Sequence, residues 1–72
     1  LSYLFGQVDL NNATADEFLE LNGIGKAKSQ KIIKYRELNQ CFTSIDELAD
    51  IEGISRKIIE SNRAELTLGV CN

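Results

Sequence analysis

The sequence has no histidine, methionine, tryptophan or proline, only two cysteines, and no apolar run longer than a few residues. Each absence removes a class of function. Without histidine, and with Cys41 and Cys71 thirty residues apart, His/Cys zinc sites are excluded, as are Ser-His and Cys-His nucleophile pairs. Without a long apolar run, no segment is predicted to cross a membrane. At 72 residues the chain has room for one domain, and none for a second core or a deep substrate cleft. A chain of this size buries only about 60% of its unfolded surface, so it depends on economical local structure. An enzyme is not expected, nor is a cofactor, a metal or a small-molecule substrate. The chain opens on Leu1 rather than Met, which reads as a trimmed or processed piece; a removed leader would leave no trace. The two cysteines leave the compartment open. In a cytosolic protein two thiols are ordinary, and in an exported one they invite a single disulfide.

What is present is a repeat. Residues 14–26 read TADEFLELNGIGK and residues 44–56 read SIDELADIEGISR, offset by thirty with no gap. Asp16/Asp46, Glu17/Glu47, Gly23/Gly53 and Ile24/Ile54 are identical; Thr14/Ser44, Glu20/Asp50, Leu21/Ile51 and Lys26/Arg56 keep their chemical type. Such a period marks a duplicated supersecondary unit, two copies of which close one shared core. Each copy opens on a capping box, Thr14 with Glu17 and Ser44 with Glu47, contributing about 1 kcal/mol each. The adjoining acids put negative charge where the helix dipole favours it. This predicts a first helix over 15–21 and a third over 45–51, each stopped by a glycine in left-handed geometry at Gly23 or Gly53.

A second helix is predicted over 26–39, with Ser29, Ile32, Ile33 and Arg36 on one side. A fourth follows Ser55 as N-cap, carrying Ile58, Ile59 and, if it continues, Leu66. Phe42 returns to the core from a connector over 39–43, and Val8 and Leu10 pack on the first helix. Residues 1–7 read as a loose N-terminal arm, 8–68 as the folded domain, and 69–72 as a tail that frays.

The chemistry lies where helix, tight Gly-Ile-Gly turn and helix meet. Turn glycines let a backbone approach another molecule closely, and the amides after them open a helix at the positive end of its dipole. A phosphate is the natural occupant. Lys26 and Lys28 follow the first turn, Arg56 and Lys57 the second, adding mobile positive charge. Singly, Gly23, Gly25 and Gly53 read as helix terminators; two matched turns, each followed by cations, favour phosphate contact. Net charge is −3, from eight basic and eleven acidic residues, but it is unevenly spread: residues 26–36 hold five cations and no acid. Steering follows the local field. Lys31 and Lys34 read as a solvated face, Arg36 as a structural arginine binding a carbonyl or an acid, and Ile24 and Ile54 as core plugs. The acid pairs Asp16/Glu17 and Asp46/Glu47 are explained by their helix starts, without acid-base catalysis.

The strings Leu21-Asn22-Gly23-Ile24-Gly25, Ile32-Ile33-Lys34-Tyr35-Arg36 and Phe42-Thr43-Ser44-Ile45-Asp46-Glu47-Leu48, with the lead-in Val8-Asp9-Leu10-Asn11-Asn12-Ala13-Thr14, resemble the tandem helix-hairpin-helix domain of ComEA-type competence DNA receptors over residues 8–68. The resemblance implies an all-α fold, two tandem helix-hairpin-helix motifs in one compact four- to five-helix domain. It implies a double-stranded DNA partner, gripped by its sugar-phosphate backbone without sequence reading, during DNA uptake alongside uptake-machinery proteins. The implied DNA contacts are Asn22, Gly23, Ile24, Gly25, Lys26 and Lys28 in the first hairpin, and Gly53, Ile54, Ser55, Arg56 and Lys57 in the second. Asn22 departs from the family's frequent proline, Ser55 replaces the second glycine of its turn, and the sequence pI near 4.8 is acidic for a nucleic-acid binder. A periplasmic or extracytoplasmic location is also implied, and there Cys41 and Cys71 would join the tail to the connector; the residues themselves are equally compatible with the cytoplasm. Two alternatives stand: the same fold as a protein-interaction module, as in a photosystem II extrinsic subunit and in secretion machinery, or a DNA-holding fragment of a larger repair protein.

Overall fold

Both capping boxes form. Thr14 Oγ1 accepts from Glu17 N at 3.2 Å while Glu17 Oε1 accepts from Thr14 N at 2.8 Å, and Ser44 and Glu47 make the same reciprocal pair. From these caps α1 runs over Ala15–Phe18 and a 3₁₀ helix over Ile45–Asp50. The first is shorter than the helix expected over 15–21, and the second is a 3₁₀ helix where a helix over 45–51 was expected. After Phe18 the amides of Leu19, Glu20 and Leu21 bond back three residues, to Asp16, Glu17 and Phe18. So few residues separate each cap from its glycine that i→i−4 bonds cannot accumulate to offset nucleation, and the chain tightens toward the turn. The computed structural model describes residues 8–71, so the arm expected over 1–7 lies outside the described residues.

The longer second helix, α2, spans Lys26–Asn39 as expected and is closed by Gln40 at φ 73°. The fourth, α3, starts after its Ser55 cap and spans Arg56–Asn62. It does not continue to Leu66. A 3₁₀ turn, Arg63–Glu65, leads into β2, Leu66–Thr67, which pairs in parallel with β1, Val8–Asp9, in the register Val8↔Leu66 and Asp9↔Thr67. Leaving the helix lets Leu66 bury beside Val8, which packs against this strand rather than on α1 alone.

The fold is therefore mostly helical, with this one small sheet. Phe18, Phe42, Leu10, Ile32 and Ile59 are its largest fully buried apolar side chains, and Ile24 and Ile54 plug the core beneath the two turns. Ser29 Oγ, buried on α2, donates to Ala15 O at 2.7 Å and ties α2 to α1. Arg36 donates to Leu10 O at 2.9 Å with its guanidinium 5.9 Å from the Phe18 ring centre, the carbonyl-binding role expected of it. Tyr35 stacks on Phe42 at 5.0 Å and donates to Glu47 Oε2 at 2.9 Å. The Glu47 carboxylate beside it pushes the Tyr35 hydroxyl up to about 12.

The tail expected to fray from position 69 is instead tied down. Gly69 N donates to Asp9 Oδ1 (2.9 Å), and Asn11 and Asn12 donate to the carbonyls of Gly69 (3.0 Å) and Val70 (3.1 Å). A Cβ at Gly69 would run into the Asp9 carboxylate where it now sits, so a side chain there would displace that carboxylate. Burial works to raise the Asp9 carboxyl. Hydrogen bonds from the Asn12 side chain and from the Gly69, Asn11 and Asn12 amides outweigh it and hold the group low. Cys41 and Cys71 form a disulfide, Cα to Cα 5.8 Å, which anchors the tail to the inter-repeat connector. No helix among the described residues is long and apolar enough to cross a membrane.

Candidate functional site

Each repeat turns its chain in the same four residues. Ile24 N donates to Leu21 O at 3.3 Å and Ile54 N to Ile51 O at 3.1 Å, closing turns whose third residue is Gly23 (φ 79°) or Gly53 (φ 96°). A positive φ at that position is what a type II turn requires and what a side chain resists. Burial then repeats residue for residue: Leu21, Ile24 and Ser29 are buried in one unit, Ile51, Ile54 and Ile59 in the other, with Lys28 and Ile58 half-buried between. The remaining turn residues, Asn22 and Gly25 in one copy, Glu52 and Ser55 in the other, face solvent together with Lys26, Arg56 and Lys57.

The two hairpins lie against one another's helices. A Cβ built on Gly23 would stand 3.3 Å from Ile58 Cγ1, in the first turn of α3, and one on Gly53 would stand 3.5 Å from Lys28 Cε, in the first turn of α2. Lys28, assigned from sequence to the first hairpin, thus lies across the second. Lys31 joins it there, donating to Glu52 O at 3.4 Å, although the sequence reading left it on a solvated face. The spacing of 28 and 31 is the signal that could have found it, since residues three apart share a helix face. Asn62 was missed altogether. Buried at the end of α3, its Oδ1 accepts from Asn22 N and its Nδ2 donates to Asn22 O, both at 2.8 Å. No local pattern announces a partner forty positions away.

The two helix starts differ. Gly25, the N-cap of α2, has an extended backbone (φ −96°, ψ −171°) and offers no side-chain cap. A Cβ there would meet nothing within 4 Å. Neither conformation nor packing demands glycine at this place, and its equivalent Ser55 carries a side chain in nearly the same geometry (φ −87°, ψ 163°). Ser55 Oγ accepts from Ile58 N at 3.3 Å, so one amide of the second helix start is already satisfied.

The cations differ too. Among the described residues, Lys26 and Lys28 enter no ion pair, whereas Arg56 stands 3.7 Å from Asp46. Arg63 lies 2.6 Å from both Asp46 and Glu60, and its hydrogen bonds hold both carboxyls below their usual range while raising its own guanidinium. No cluster of His, Cys, Asp or Glu able to hold a metal occurs among the described residues.

Two matched hairpins, each ending on a helix start and each braced by the other's helix, define a tandem helix-hairpin-helix domain. The chain belongs to the helix-hairpin-helix motif family, which matches residues 5–67. It is similar to ComE operon protein 1 of Bacillus subtilis, 34% identical over 61 residues, covering 85% of this chain and 30% of that protein. An uncharacterised protein of Haemophilus influenzae is 36% identical over 58 residues, 79% of this chain and 52% of its own length. The kinesin-like protein KIF22 of Mus musculus is 42% identical over 52 residues, 72% of this chain and 8% of its own length. The chain thus spans about half or less of each of these relatives.

Proposed function

We propose that the domain holds double-stranded DNA by its phosphate backbone, without reading sequence, as a binding module in DNA uptake and not as a catalyst. The observation that carries this reading is the start of α2. There Gly25 leaves the amides without a side-chain cap, Lys26 follows it directly and Lys28 reaches across to the second turn, neither in an ion pair among the described residues. Amides free at the positive end of a helix, flanked by lysines, bind a phosphate oxygen well. Gly25 adds to the argument, because a glycine that the fold does not need leaves open space for an outside molecule. The ComE relative accords with the uptake role that the resemblance implies. The disulfide accords with an extracytoplasmic setting, where such bonds persist. Proteins of the uptake machinery are the further partners.

The test is a titration of random-sequence duplex DNA at several salt concentrations, with the disulfide intact. If each hairpin neutralises about two phosphates, log K falls against log salt with a slope of about −3.5. Affinity then drops about a hundredfold between roughly 50 and 200 mM salt. Changing the duplex sequence leaves it unaltered, since backbone contacts carry no base information. Absence of binding at about 50 mM salt, where phosphate contacts are strongest, rejects the reading. The same domain would then be read as a protein-interaction module, which the net charge of −3 favours.

A further inference from the structure

Asn62 is a polar side chain in an apolar place. It is 3% exposed, and its counterpart thirty residues earlier is Ile32, fully buried with no polar atom to satisfy. Both ends of its amide are engaged: Oδ1 accepts from Asn22 N (2.8 Å), while Nδ2 donates to Asn22 O (2.8 Å) and Ile58 O (2.8 Å). The first two bonds hold both the N–H and the C=O of one residue, as a strand partner would, and that residue is in the middle of the first hairpin. The reverse connection is weaker. Among the described residues, the carbonyl of Glu52, the counterpart of Asn22, is met only by the exposed Lys31 Nζ at 3.4 Å. A buried amide is costly unless every partner is in place, and once satisfied it specifies a single arrangement. Packing alone would be served by another isoleucine.

We propose that Asn62 is a positioning residue for the DNA grip. It locks the Asn22-Gly23-Ile24-Gly25 turn to α3 and so fixes the distance between the two hairpins. Asn62 touches no phosphate itself. With the turn held, the two hairpins are one rigid bivalent clamp, and the second contact forms at the high effective concentration that a fixed spacing provides. Released, the first turn keeps its glycines and lysines but loses its placement. The proposal rests on the reading of the hairpins as phosphate contacts.

The experiment measures duplex DNA affinity against salt for the wild type, Asn62→Ile, Asn62→Asp and Leu66→Ala, all oxidised and held below their melting temperatures. Asn62→Ile copies the other repeat and fills the core without the clamp; Asn62→Asp sets an acceptor against two carbonyls. Leu66→Ala weakens the core at the strand pair, away from the turns, and reports what lost stability alone does. Expected for both Asn62 variants is an affinity about tenfold lower at low salt and a slope near −1.8, about two phosphates, where the wild type gives about −3.5. Leu66→Ala keeps the wild-type slope. Without DNA, exchange of the Asn22 amide hydrogen speeds up in Asn62→Ile. A folded Asn62 variant with wild-type slope and affinity within twofold overturns the proposal while the DNA reading stands. An equal loss of slope in Leu66→Ala overturns it too. If the wild type itself binds no duplex at any salt, the DNA reading fails first and this proposal falls with it.

Discussion

Gly25 and Ser55 occupy the same place in the two repeats, and the contrast between them isolates a contact from a conformation. Gly23 and Gly53 are glycines because their φ angles, 79° and 96°, lie where a side chain is strained. Gly23→Ala is expected to cost about 1–2 kcal/mol of stability, read as a lower urea midpoint at unchanged slope. Gly25 lies in extended geometry with open space at its Cβ position. Gly25→Val therefore gives up little beyond cap preference, up to about 1 kcal/mol, and stays helical by circular dichroism. Its duplex affinity is nonetheless expected to fall about tenfold, or about 1.4 kcal/mol, because the side chain occupies the space offered to phosphate. Wild-type affinity in folded Gly25→Val would mean that no phosphate approaches there. The sequence signalled both kinds of glycine by the same letter; only the backbone angles separate them.

At the scale of elements, the question is which hairpin carries more of the binding. Lys26 and Lys28 open a fourteen-residue helix with no side-chain cap. Arg56 is drawn toward Asp46 at 3.7 Å, and Ser55 already satisfies one amide of α3. Lys28 belongs to the first unit and lies across Gly53 of the second. Lys26→Glu/Lys28→Glu is thus expected to abolish most duplex binding, at least about tenfold, and Arg56→Glu/Lys57→Glu to cost distinctly less. Acids in a first helical turn suit the helix dipole, so neither pair should lower the melting temperature appreciably. Greater damage from the second pair, with both variants folded, would reverse the ranking. The starts and stops of the two leading segments were legible in the capping boxes and glycines. How far each runs as a helix was not, because both are too short for helix propensity to set it.

Across the whole molecule the two ends of the described residues, 8–11 and 66–71, are brought together and fastened. Val8 pairs with Leu66, Asp9 and Asn11 hold Gly69, and Cys71 is bonded to Cys41 across a separation of 30. Closing a loop of that size restricts the unfolded chain and stabilises the fold by roughly 3–4 kcal/mol on the loop-entropy account. Cys41→Ser/Cys71→Ser is expected to lose about that much in urea unfolding. Thiol titration of the unreduced, denatured wild type should find no free cysteine. Two titratable thiols there would reject the bridge, and an unchanged midpoint in the double variant would reject its role in stability.

What the sequence by itself determined is the repeated unit: Thr14-to-Glu17 and Ser44-to-Glu47 as helix starts, Gly23 and Gly53 as turns, α2 to its last residue, and the buried Ile24, Ile54 and Phe42. The caps, turns and helix rest on groups three or four residues apart, whose meeting the chain's own geometry compels, and the buried positions on apolar character alone. What only the tertiary structure decided is how the two units meet and how residues 8–11 meet residues 66–71. Asn62 finds Asn22 forty residues away, Gly69 finds Asp9 across sixty, and Lys28 reaches the hairpin it does not belong to. Such contacts depend on how the core packs. No spacing in the chain encodes them, because the separation of the partners along the sequence says nothing of their separation once the apolar faces have packed.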